Sequence, residues 1–241
     1  MGFTPWPYDA TQMAVDDTNQ RIQDNGDIVA HHIMVGVPWE DALNRQPYHP
    51  NVEAELAGRL QMLQPDKAVF LAIDSLNQGR DGLAPNWGEA FNEPLPAPWD
   101  TRPFDNLFVA GAYTNFAIDL IGRFQPLYFN YGTEISELML NDPAAFDDYV
   151  QFADTTYTVL KAIYPNVEMM VSIAVKSPGS AEMATIAAGF DRIRDFVDVV
   201  GISTYPYVFF DHADKGDPDN LPADWLSQIE DLAQGKPIAI T

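Results

Sequence analysis

The segment Leu127-Tyr128-Phe129-Asn130-Tyr131-Gly132-Thr133-Glu134 is an apolar, strand-like run that ends on a carboxylic acid. A carboxyl group held between aromatic residues is partly shielded from water. Shielding disfavours the charged form and moves the pKa toward the range of a general acid. Gly132 offers a sharp exit from the strand, able to aim Thr133 and Glu134 sideways. The plainer alternative is that Glu134 caps the helical turn that follows, with Glu137 on a solvated face. Other residues able to do chemistry stand in the same place, just past an apolar run: Trp6 and Asp9, His32 and Trp39, Asp74, Lys176, Tyr205 and Tyr207. Rings beside carboxylates suit sugars, whose C–H faces stack while their hydroxyls need hydrogen-bond partners. The competing explanation is that these rings only pack their own loops.

For these residues to meet, the runs that precede them must be parallel and in one sheet. Strand-like runs fall at residues 2–5, 28–33, 68–73, 126–130, 167–173, 197–203 and 237–241, and most are continuously apolar, as in strands covered on both faces. Helix-like stretches separate them at 10–24, 51–63, 107–124, 144–164, 181–196 and 223–234. Asn141-Asp142-Pro143 is a helix start with a capping side chain, and Gly235-Lys236-Pro237 is a stop. Alternation of strand and helix predicts parallel strands joined by right-handed crossovers. A doubly wound nucleotide fold would carry a glycine-rich turn after its first strand, and Trp6-Pro7-Tyr8-Asp9 stands there instead. The pattern therefore predicts an α/β (β/α)8 TIM barrel, a single domain over 1–241, cut short after the seventh of its eight strands. Residues 74–105 are too long for a simple connection and predict an ordered wall or lid built on Trp87, Phe91 and Trp99.

Composition narrows the function classes. Thirteen Lys and Arg face thirty-five Asp and Glu, a net charge of −22 in 241 residues, which disfavours nucleic acid and anionic membranes as partners. Cysteine is absent, removing disulfides, thiolate metal sites and cysteine nucleophiles together. His31 and His32 are adjacent on a strand, point to opposite faces and cannot chelate one metal; His32 is the one expected to face the mouth. The acidic run at 211–220 lacks the spacing of a helix–loop–helix calcium site, so it reads as a solvated loop. Ser75, Ser172 and Ser203 lack a nucleophile-elbow context. No metal and no cofactor are expected. Met1-Gly2 enters the first strand with no leader pattern, consistent with a cytoplasmic protein or with a leader already trimmed, the latter favouring an extracytoplasmic location.

Three segments resemble a known group. Thr133-Glu134, Gly201-Ile202-Ser203-Thr204-Tyr205-Pro206 and Lys236-Pro237-Ile238-Ala239-Ile240-Thr241 are similar to the clan of retaining (β/α)8 glycoside hydrolases, nearest to arabinogalactan endo-β-1,4-galactanases. The resemblance implies that Glu134 is the acid/base and that Tyr205 orients the nucleophile. It places the nucleophile at the residue after Thr241, outside these 241 residues. Thr133 stands where the clan has asparagine, with Asn130 as a substitute contact for the sugar 2-hydroxyl. The His31-His32 region replaces an arginine, and Asp74 replaces a histidine. The expected function is hydrolysis of a β-linked, galactan-like polysaccharide by double displacement between two carboxylates. Trp6, His32, Trp39, Asp74, Asn130, Thr133 and Tyr207 are the expected substrate contacts, with little turnover from residues 1–241 alone. The alternative is a barrel that binds carbohydrate without cleaving it.

Overall fold

The computed structural model describes residues 1–241. Seven strands, β1 (Gly2–Phe3), β2 (Ile28–Ile33), β3 (Ala68–Ile73), β4 (Tyr128–Gly132), β5 (Glu168–Ala174), β6 (Val199–Ser203) and β7 (Ile238–Ile240), form one sheet in sequence order, every neighbouring pair parallel. Residues from all seven strands line a single cavity, so the sheet is curled. β1 and β7 are its two edges.

Around it lie α1 (Gln12–Asn25), α2 (Trp39–Asn44), α3 (Pro50–Gln61), α4 (Leu107–Phe124), α5 (Ile135–Asn141), α6 (Pro143–Ile163), α7 (Ala181–Phe190), α8 (Pro206–Phe209) and α9 (Gln228–Ala233). The helix signals act as their chemistry predicts. Asp142 accepts from the Ala145 N–H at 3.0 Å with Pro143 in the first turn of α6, and Gln234 and Gly235 take left-handed conformations that end α9. No helix is long and apolar enough to cross a membrane.

Side-chain alternation decides what faces the cavity. In β2, Val29, His31 and Ile33 are buried against the helices while Ile28, Ala30 and His32 line the cavity. His31 packs on Phe124 with ring centroids 5.3 Å apart. The core proper is this outer layer, where Phe129, Tyr131, Tyr113, Phe116, Tyr149 and Phe152 fill the space between sheet and helices.

The expected helix at 51–63 is preceded by the short α2, and α5 and α8 were not expected. All three are single or double turns whose six, seven and four residues are too few for a periodic signal. β1 and β7 are shorter than expected. Residues 74–105 form an ordered wall: bridges Val37–Asn86, Leu76–Leu83 and Asn86–Glu93 fold it, Trp87 and Trp99 are buried in it as expected, and Phe91, expected beside them, stands exposed against Trp87.

Candidate active site at the C-terminal ends of the strands

Glu134, the carboxylate expected from the sequence, stands two residues past the end of β4. The register of β4 against β5 slips between Asn130 and Gly132, a bulge that re-aims the residues behind it. Gly132 is there for room: a Cβ would lie 2.4 Å from the Tyr149 hydroxyl and 2.7 Å from Ile135 Cγ2. The sharp turn falls two residues later, on Glu134 itself, whose φ of 52° and ψ of 41° are left-handed. A non-glycine residue held there stores of order 1 kcal/mol or more, and such residues cluster at functional sites. The Glu134 N–H donates to Ser172 Oγ at 3.0 Å, which fixes the turn. Glu134 precedes α5 but makes no capping bond with its side chain, so the capping role is excluded.

The surroundings of Glu134 differ from the expected aromatic sleeve. Tyr128 and Asn130 face the cavity, but Phe129 and Tyr131 point into the helix layer, where Tyr131 donates to Phe196 O at 2.7 Å. The neighbours of the carboxylate are instead Arg80 and Tyr205. Arg80 Nη2 lies 3.4 Å from Glu134 Oε2, and Arg80 Nη1 lies 2.9 Å from Asp74 Oδ2. Asp74 Oδ1 is in turn 2.6 Å from His32 Nε2. Burial pushes the Asp74 carboxyl up, but the bonds and charges of His32 and Arg80 outweigh it and hold it below its usual range. The Tyr205 phenol is raised, first by partial burial and then by the Glu134 carboxylate that it faces.

The cavity holds about 810 Å3 and runs from these residues down the inside of the sheet to Glu168. Glu134 and Glu168 are the only carboxylates in its wall, at opposite ends, because Glu168 opens β5. Trp6, His32, Glu134 and Tyr205, placed just past their strands, line the cavity, as do Asn130 and Thr133, which the resemblance pointed to. Asn130 accepts from the Gly132 N–H at 3.1 Å and donates to Ser172 Oγ at 3.4 Å, and the shielded Thr133 hydroxyl has no hydrogen-bond partner.

Three expected contacts are placed elsewhere. Trp39 is 0% exposed: its ring stacks on Trp99 at 5.4 Å and its Nε1–H donates to Ala84 O at 2.9 Å, so it is a core residue under the wall. Asp74 is 6% exposed and absent from the cavity wall, with both oxygens committed to His32 and Arg80. Tyr207 stands exposed on α8, edge-on to Tyr205 at 6.4 Å and outside the cavity. Lys176 is buried, paired with Glu137 at 2.7 Å beneath the Phe209 ring. Arg80 and Ser172 were missed as site residues.

No protein-family model matches the chain, and no curated protein matches it in sequence. Among solved structures it is similar to the exo-beta-1,4-mannosidase Op5Man5 from Opitutaceae bacterium strain TAV5, with a TM-score of 0.55, 11% identity and 86% of this chain covered. It is also similar to a beta-D-glucuronidase of Dictyoglomus thermophilum, with a TM-score of 0.50, 13% identity and 99% of this chain covered. The likeness is one of fold. The chain spans 38% and 34% of the lengths of those two proteins.

Proposed function

We propose that residues 1–241 carry the acid/base half of a glycoside hydrolase site, acting on a neutral, β-linked polysaccharide of which galactan is the nearest label. The observation that carries this reading is Glu134. It is a carboxylate in a left-handed turn at the end of β4, the sole carboxylate at the upper end of an open cavity. Trp6 offers an exposed ring for the face of a sugar, while His32, Arg80, Asn130 and Tyr205 supply donors and acceptors for its hydroxyls. The names of the similar structures, a mannosidase and a glucuronidase, agree with carbohydrate as the ligand class.

In the retaining route, one carboxylate attacks the anomeric carbon as the acid protonates the leaving oxygen. The same group then deprotonates the water that releases the product. Glu134 fills the acid/base role and Tyr205 the role of orienting the nucleophile. Asp74 cannot serve as nucleophile, since both its oxygens are held and it lies outside the cavity. By the resemblance the nucleophile is a second carboxylate placed just after β7.

The experiment is calorimetric titration with neutral β-1,4-linked oligosaccharides, alongside an assay of galactan hydrolysis. Saturable binding that weakens in Glu134→Gln is the expected result. Absence of binding to any such saccharide would overturn the reading. Efficient hydrolysis by residues 1–241 would keep the ligand class and overturn the placing of the nucleophile. A barrel that only binds carbohydrate predicts the same binding with no loss in Glu134→Gln.

A further inference from the structure

We propose that Arg80 is the positioning residue of the site: anchored by Asp74 and His32, it sets the direction of the Glu134 carboxylate. The inference rests on the acid/base role of Glu134 and adds a residue from a different loop. Arg80 is the only one of the thirteen Lys and Arg in the cavity wall. Its loop is a small hairpin in which Asn77 N–H donates to Gly82 O at 2.9 Å and Ala84 N–H to Ser75 O at 2.9 Å. Arg80 occupies the turn with φ of 56°, and the Asn141 side chain donates to Gly79 O at 3.3 Å, pinning the tip to the end of α5. The backbone that carries the guanidinium is therefore fixed at the hairpin base and at its tip.

The side chain is fixed as well. A guanidinium is planar, always charged and able to offer two parallel donors to separate acceptors. Here one arm holds Asp74 at 2.9 Å and the other reaches Glu134 at 3.4 Å. The shorter bond is the anchor, and the longer one acts on the residue that must meet a ligand. Burying a carboxylate as deeply as Asp74 is costly unless it is fully paired, and its second oxygen is paired with His32 at 2.6 Å. The series His32, Asp74, Arg80, Glu134 thus runs from β2 through the end of β3 and its hairpin to β4. The charged or titratable side chains facing Glu134 are Arg80 and Tyr205, and of the two Arg80 is the one held by a buried carboxylate behind it.

Carboxyl footprinting of the full chain tests this without depending on turnover. Carbodiimide coupling to glycine ethyl ester is read at Glu134 by mass spectrometry, with the paired carboxylate Asp198 as the internal reference for general loosening. Arg80→Met should raise labelling of Glu134 by about threefold relative to Asp198, the scale of one lost charged contact. Arg80→Lys, which keeps the charge without the fork, should fall between Met and the parent, and Asp74→Asn should act in the direction of Met. Unchanged relative labelling of Glu134 in Arg80→Lys and Asp74→Asn, or a rise shared equally by Asp198, would overturn the proposal. Protection of Glu134 by oligosaccharide is a separate readout in the parent protein, and its failure would remove the carbohydrate reading while leaving the Arg80 result intact.

Discussion

The backbone N–H of Glu134 donates to the hydroxyl of Ser172 at 3.0 Å, across from the end of β4 to the middle of β5. Ser172 is fully buried, and the same oxygen accepts from Asn130 Nδ2. One hydroxyl therefore holds both the strained turn and the asparagine two residues before Gly132.

Removing that hydroxyl strands the buried Asn130 amide and the part-buried Glu134 N–H. Ser172→Ala should cost about 1–3 kcal/mol, the penalty for buried polar groups left without partners. A chain of this size loses about 2–4 °C of Tm per kcal/mol, so a thermal melt resolves the change. Saccharide affinity should fall along with it, because the Glu134 turn loses its support. A melting temperature equal to that of the parent would mean that the turn is held by something else.

If Glu134 has the proposed acid/base role, its left-handed turn sets function against stability. Asparagine tolerates the left-handed region with little penalty, whereas a β-branched residue does not. Glu134→Asn is expected to melt at or above the parent temperature while saccharide binding weakens. Glu134→Val is expected to melt lower, by about 1–2 kcal/mol of backbone strain. Melting curves of the pair check the order. Equal stability of the two variants would show that φ of 52° is not imposed on this residue by the fold.

His31 gives a prediction about pH. Burial, with a smaller contribution from Arg59, holds its imidazole down to about 4 from an ordinary 6.5, and neither ring nitrogen has a hydrogen-bond partner. Because the folded pKa is depressed, the unfolded chain takes up the proton first as pH falls. The stabilisation is therefore complete above 6.5, erodes between 6.5 and 4, and is gone below that range. The shift corresponds to about 3 kcal/mol over that interval. Denaturant unfolding of the parent should show this loss, and His31→Leu should flatten the pH dependence whatever its absolute stability. An unchanged slope in the variant would assign the acid sensitivity to other groups.

Much of this arrangement was legible in the sequence, for identifiable reasons. Parallel strands covered on both faces are written as continuous apolar runs, so all seven were found, and a strand's two-residue period separated His32 from His31. The position of Glu134 followed from the end of its run. The arginine was not found, because its hairpin is a local turn whose signals, Asn77, Gly79 and Gly82 between Leu76 and Leu83, say nothing of what the tip will reach. Ser172 was passed over because one hydroxyl inside an apolar strand carries no pattern. The aromatic sleeve around Glu134 failed for the opposite reason: side chains alternate along a strand, so with Tyr128 and Asn130 facing the cavity, Phe129 and Tyr131, two residues apart, both face the helices.

Tryptophan shows where residue type alone misleads, and it supplies the last prediction. Trp6 and Trp39 both follow a strand, but Trp6 is 60% exposed in the cavity wall and Trp39 is 0% exposed beneath the wall segment. Trp87, Trp99 and Trp225 are buried too, leaving Trp6 as the only one of five indoles in contact with water. Its emission should be the red-shifted part of the spectrum and the part quenched by acrylamide, a neutral quencher that the net charge of −22 does not repel. If a sugar ring stacks on Trp6, oligosaccharide should protect it from acrylamide, and Trp6→Ala should abolish that quenching while weakening binding by about 1 kcal/mol, roughly fivefold. The fold should survive the substitution. Trp39→Ala should do the reverse, destabilising the chain by about 3–5 kcal/mol as an emptied core position does. Quenching of Trp6 that saccharide leaves untouched, with unchanged affinity in Trp6→Ala, would show that the exposed indole does not face the ligand.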